Sequence, residues 1–168
     1  RSIRGRREAS RPHGGFIFIG LIKVGAEPYV IEYNVRMGDP ETQVVIPRIE
    51  SDLLELLRAT AEGRLAEADL EIRKEAATAV VLVSGGYPEA YEKGIEIKGL
   101  GTESDAMVFH AGTRLDGDRV LTSGGRVLAV TAFGPDFPAA LAESYKAASK
   151  ISFDKVYFRR DIGFDLQP

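Results

Sequence analysis

The order of apolar runs and breakers predicts an α+β chain with short antiparallel strands, and three observations lead there. Two strand-like runs flank a tight turn between residues 16 and 34. A cluster of leucines at helical spacing follows, at Leu53, Leu54, Leu56 and Leu57. The second half then alternates short β-branched runs with glycine pairs and closes on an alanine-rich helix.

The elements follow in order. Phe16 to Lys23 is short, apolar and rich in aromatic and β-branched residues, the mark of a buried strand. Val24-Gly25-Ala26-Glu27 supplies a turn, and Pro28 to Asn34 a second strand, so the two form a hairpin. Arg36 to Gln43, with Gly38, Asp39 and Pro40, breaks the strand and makes a defined loop. Ser51 can cap a helix that Gly63 ends. Leu65 to Glu75 is a polar linker or crossover. Short strands are expected at Ala76 to Ser84, Ile95 to Lys98, Met107 to Ala111, Thr113 to Leu115, Arg119 to Leu121 and Arg126 to Phe133. Asp116-Gly117-Asp118 forms a hairpin tip. Pro135 to Lys150 is a helix with apolar Phe137, Leu141, Tyr145 and Ala148 on one face, and a last strand lies near Val156 to Phe158.

Composition bounds the function. The 168 residues are 44% apolar and 28% charged, ordinary for a globular chain. A net charge of -3 excludes general nucleic-acid affinity, so no nucleic-acid partner is expected. Arg1, Arg4, Arg6, Arg7 and Arg11 crowd the start, which reads as a solvated terminus or loop over residues 1–14. The absence of cysteine removes disulfides, thiolate metal sites and cysteine nucleophiles. No apolar run is long enough to cross a bilayer, and no secretory leader is visible, so no membrane association is expected. The chain opens without a methionine, consistent with a fragment, a processed chain or one piece of a larger protein.

Side chains alternate along a strand, so Glu32, Asn34 and Arg36 share one face while Ile31, Tyr33 and Val35 turn to a core. A carboxylate, an amide oxygen and a guanidinium are a set that could hold magnesium and a phosphate. A solvated polar face on an edge strand has the same spacing, and spacing alone leaves both readings open. The loop adds Asp39 and Glu41 at once.

The whole run Val30-Ile31-Glu32-Tyr33-Asn34-Val35-Arg36-Met37-Gly38-Asp39-Pro40-Glu41-Thr42-Gln43 resembles the signature of the glycinamide ribonucleotide synthetase family, ATP-grasp ligases of purine biosynthesis. Met37 stands where an aromatic is usual. Ser51-Asp52-Leu53-Leu54, Ser84-Gly85-Gly86-Tyr87-Pro88, Val108-Phe109-His110-Ala111-Gly112-Thr113, Thr122 to Leu128 and Phe158 to Gly163 continue the likeness in the same order.

The resemblance implies a fold in two parts: residues 15–66 as the end of an ATP-grasp lobe, then, after a 67–75 linker, a small β-rich domain over 76–168 similar to that of biotin carboxylase. It implies an ATP-dependent carbon–nitrogen ligase, cytoplasmic, that joins glycine to 5-phosphoribosylamine through a glycyl phosphate and releases ADP and phosphate. ATP is then a co-substrate and Mg2+ (or Mn2+) the cofactor. Glu32 and Asn34 match the metal ligands, Arg36 is the catalytic contact to phosphate or acyl phosphate, and Asp39 and Glu41 line the amine or ribose pocket. The family's adenine pocket belongs to regions absent from this chain, which is therefore expected to be inactive alone and to need those regions. The alternatives are a non-catalytic binding module that reuses the fold, or another ATP-grasp carboxylate–amine ligase. Lesser candidates are His110, read as a hydrogen-bonded core histidine, the pairs Gly85-Gly86 and Gly124-Gly125, read as turns, Tyr87 as a pocket wall, and Arg159-Arg160-Asp161, read as an ion-pair cluster or a ribose phosphate site. The lone hairpin is also expected to leave its strand edges exposed.

Overall fold

The computed structural model describes residues 13–102 and 105–166; the five arginines of the opening stretch lie outside these. The strands are β1 (Phe18–Val24), β2 (Glu27–Asn34), β3 (Ala76–Val83), β4 (Met107–His110), β5 (Thr113–Asp116), β6 (Arg119–Thr122) and β7 (Arg126–Gly134). The helices are α1 (Thr42–Val45), α2 (Leu53–Ala61) and α3 (Phe137–Ala148). The described residues form two compact units: one runs to Gly38 and resumes over Ser51–Glu71, the other holds Asp39–Glu50 and everything from Ile72. The chain thus passes between units three times, and the segments expected to follow one another in line are interleaved.

In the first unit β1 and β2 pair antiparallel, with Phe18 opposite Asn34 and Gly20 opposite Glu32. The register slips between Gly20 and Leu21, where Ile31 is the unmatched residue. The expectation of a buried strand at Phe16 to Lys23 fails, since Ile19, Leu21 and Ile22 are exposed. So does the core placement of Ile31, Tyr33 and Val35, which are 64%, 67% and 69% exposed. Periodicity sorts side chains onto faces, but no layer in this unit covers either face. Helix α2 is capped by Asp52, whose carboxylate accepts from Leu54 N at 2.8 Å and Glu55 N at 3.2 Å. Ser51, expected to cap, instead donates to Asp69 O and accepts from Glu71 N. The helix buries Leu56 and Ala59 and stops before Gly63, whose φ of +72° suits a residue without Cβ.

In the second unit β7 is the centre of a sheet ordered β3-β7-β4, antiparallel throughout. Its residues from Val127 to Ala132 are all buried, as a central strand covered on its faces requires. Val80, Leu82, Val127, Leu128 and Val130 form a core with Leu141, Ala147 and Ala148 of α3 and with Ile97, Ile151, Phe153 and Phe158. Strands β5 and β6 make a separate hairpin whose tip places Gly117 at φ +61°. The strands expected at Ile95 to Lys98 and Val156 to Phe158 are only single bridges, Glu96 to Leu121, Lys98 to Ser152 and Tyr157 to Val83. Those segments are too irregular to sustain a ladder. The stretch 39–50 is held here by Thr131 Oγ1 donating to Gln43 O at 2.9 Å, by a bridge between Ile49 and Ile72, and by Arg48 Nη2 donating to Arg73 O at 2.9 Å.

Candidate functional site

Glu32 and Asn34 occupy alternate positions on a regular stretch of β2, so they share one face of the hairpin as the spacing suggested. Opposite Glu32 stands Gly20, where a Cβ would lie 3.0 Å from Glu32 Cγ; the glycine leaves room for the carboxylate stem. The strand ends at Asn34. Arg36 lies beyond it, exposed, with Nη1 donating to Met37 O at 3.2 Å, so it belongs to the loop rather than the strand face.

This donor set fits magnesium. Two hard oxygens, one of them a carboxylate, are what that ion usually takes from protein, with water and phosphate completing an octahedron. Among the described residues no cluster of three or more His, Asp or Glu could hold a metal by itself. An ion at Glu32 and Asn34 would need further oxygens from outside this pair.

Asp39 and Glu41 fall in the second unit. Glu41 is exposed at the start of α1, its carbonyl accepting from Val44 N and Val45 N at 3.0 Å. Asp39 lines a cavity of about 300 Å³ together with Gln43, Tyr87, Ala111, Gly125 and Arg126. Arg126 Nη2 pairs with Asp39 Oδ2 at 2.8 Å. Gln43 Nε2 lies 3.5 Å from Asp39 Oδ1, while Gln43 Oε1 is buried without a hydrogen-bond partner. Glu41 does not line this cavity.

Residues from several of the sequence strings meet at the cavity: Asp39 and Gln43 of the loop, Tyr87, Ala111, and Gly125 with Arg126. The strings of Gly112 and Gly124 join through Ser123 N and Gly124 N, which both donate to Gly112 O, at 2.7 and 3.2 Å. Gly124-Gly125 forms a bend before β7, and Gly125 lines the cavity. Sequence reasoning passed over Arg126 and Gln43. A cation directly after a glycine pair and before a strand was the available signal.

His110 is exposed, not in a core, and its Nδ1 lies 3.0 Å from Thr113 Oγ1. It ends β4 at the sheet's margin, where a short strand stops covering its last side chain. Arg159 grips Asp161 through two contacts of 2.9 Å, and Arg160 stacks on Phe158 at 4.2 Å from the ring centre. The arginine fork holds the Asp161 carboxyl below its ordinary range chiefly by hydrogen bonding; desolvation opposes this, and the charge of Arg159 adds a smaller lowering. No helix among the described residues is long and apolar enough to cross a membrane.

An α+β chain with a central antiparallel strand and a covering helix shares its fold with two solved structures. It aligns over 86% of its length with 36% of the crystal structure of phosphoribosylamine–glycine ligase from Thermotoga maritima, at TM-score 0.76 and 35% identity. It aligns over 83% of its length with 12% of the urea carboxylase of Kluyveromyces lactis at TM-score 0.51 and 17% identity, a likeness of fold alone. Residues 77–165 match the family model described as the C domain of phosphoribosylglycinamide synthetase, so the chain belongs to that family. A phosphoribosylamine–glycine ligase of Chlorobaculum tepidum is 47% identical over 96% of this chain. A bifunctional purine biosynthetic protein of Schizosaccharomyces pombe is 44% identical over 96% of it. The chain spans 39% of the length of the first of these relatives and 21% of the second.

Proposed function

We propose that the chain is part of an ATP-dependent ligase that joins glycine to 5-phosphoribosylamine, forming ADP and phosphate by way of a glycyl phosphate. The likeness to phosphoribosylamine–glycine ligases over 96% of the chain supports this reading. The observation that carries it is the Glu32–Asn34 face with its opening at Gly20, a donor set suited to a metal shared with phosphate.

In this reading residues 15–66 are the end of an ATP-grasp lobe, and 76–168 form the small domain of the biotin carboxylase kind. Glu32 and Asn34 hold Mg2+ (or Mn2+), which when bound offsets negative charge on the nucleotide phosphates. Arg36 turns from the Met37 carbonyl to the transferring phosphoryl group, where a guanidinium fork stabilises charge that grows in the transition state. Asp39 and Glu41 bind the amine substrate through its amino and hydroxyl hydrogens. The amine then attacks the acyl carbon, forming the carbon–nitrogen bond as phosphate leaves with the bonding electrons and the nitrogen gives up a proton to solvent. The adenine site lies in the rest of the longer protein, so the activity is that of the full-length ligase.

The test is Glu32→Ala in that full-length protein, read by Mn2+ titration in an electron paramagnetic resonance assay and by turnover. We expect weaker Mn2+ binding in the presence of ATP and a fall in kcat of roughly 100-fold or more. Equal metal affinity and equal turnover in both proteins would overturn the assignment of Glu32 to the metal, and a wild-type protein without turnover would favour a non-catalytic module.

A further inference from the structure

Arg126 opens β7, and its backbone is clamped on both sides. Its carbonyl accepts from Gly112 N at 2.9 Å, and a Cβ on Gly112 would lie only 2.5 Å from that oxygen. The preceding Gly125 lies beneath Tyr87, where a Cβ would come within 2.0 Å of the ring. Ser84 N donates to Gly125 O at 2.8 Å, and Ser84 Oγ to Gly124 O at 3.0 Å. Three residues without side chains permit this packing. The outcome is an arginine with a fixed base whose fork reaches Asp39 at 2.8 Å.

Folding stability is a weak reason for such a pair. The Arg126 and Asp39 side chains are 43% and 57% exposed, a setting in which an ion pair contributes little. A guanidinium on Oδ2, however, fixes the plane of the carboxylate, and Oδ1, which Gln43 Nε2 approaches at 3.5 Å, keeps a lone pair for a ligand donor. The wall therefore suits a ligand that brings hydroxyl or amino hydrogens.

We propose that Arg126 is a positioning residue: it orients the Asp39 carboxylate so that Asp39 Oδ1 receives the hydroxyl or amino hydrogens of the amine substrate. This rests on the ligase reading above and deepens its amine site.

Steady-state kinetics of the full-length ligase test it with Arg126→Ala, Arg126→Lys, Asp39→Asn and the double variant Arg126→Ala/Asp39→Asn. Arg126→Ala should raise KM for phosphoribosylamine by about tenfold or more, because a misplaced carboxylate binds poorly. KM for ATP and for glycine should stay within about twofold, and Arg126→Lys should recover part of the loss, since a point charge keeps attraction but not the fork. In the Asp39→Asn background the same Arg126→Ala change should alter KM by less than about twofold, because the group to be positioned is gone. Where Arg126→Ala fails to fold, the split among the three KM values in Arg126→Lys decides. Equal rises in all three KM values, or effects of the two changes that multiply, would overturn the role of Arg126. A wild-type protein without ligase activity would overturn the underlying reading instead.

Discussion

Arg159 and Asp161 show how much one side-chain pair can be trusted at the scale of residues. Two parallel contacts of 2.9 Å satisfy the guanidinium within its own loop, and this favours an ion pair over a ribose phosphate site. The carboxyl is held below the ordinary value of 3.8 by that hydrogen bonding. A lowered carboxyl contributes stability that is present above its unfolded value and lost as pH falls through the folded one, so any loss lies below about pH 3.8. Both groups are exposed, so the effect on folding is small and the titration itself is the better measurement. Arg159→Ala should move the Asp161 carboxyl midpoint upward in a nuclear magnetic resonance titration; an unmoved midpoint would show that the fork is not its cause. At the same scale, the sharing of a strand face by Glu32 and Asn34 was legible, because alternation along a strand is local geometry. The position of Arg36 was not, because the strand ends before it.

Among the elements, β7 and α3 decide the second unit. Helix α3 spans Phe137–Ala148 with Asp136 as its cap, close to the 135–150 expected, and it buries Leu141 and Ala148 from the expected face. What periodicity did not show is Ser144, which is wholly buried. Its hydroxyl donates to Thr78 O at 3.0 Å, lies 2.8 Å from Thr78 Oγ1, and accepts from Ala132 N at 3.1 Å, so it ties the helix to both β3 and β7. Ser144→Ala should deprive these groups of that partner at a cost of about 1–3 kcal/mol. For a chain of this length each kcal/mol lowers Tm by about 2–4 °C, a shift that calorimetry resolves. An unchanged Tm would show that the network contributes nothing net. The bridges at Glu96, Lys98 and Tyr157 were overread as strands, since β-branched composition signals a pleated surface but not a partner of matching length.

For the molecule as a whole, the exposed hairpin has the largest consequence. Ile19, Leu21, Ile22, Val24, Tyr29, Val30, Ile31 and Tyr33 are all exposed on two strands. A two-stranded sheet with open edges and apolar faces is a template for association. The isolated chain should therefore self-associate as its concentration rises, and Ile31→Lys with Tyr33→Lys should reduce this in analytical ultracentrifugation. A wild-type chain that stays monomeric at every concentration would refute the expectation. The division into units also belongs to this scale. A linear reading separates 15–66 from 76–168, but Thr131 Oγ1 and the bridge at Ile49 and Ile72 place 39–50 in the second unit. Those contacts join residues far apart in sequence and leave no local pattern.

The sequence by itself determined the α+β class, the hairpin, helices α2 and α3, the Glu32–Asn34 face and the family likeness, because each depends on neighbours within a few residues or on a continuous string. Only the tertiary structure decided that both hairpin faces lie open, that His110 is exposed, and that Arg126 meets Asp39 beside Gln43. Burial and long-range pairing depend on which segments the chain path brings together, and no residue carries that information alone.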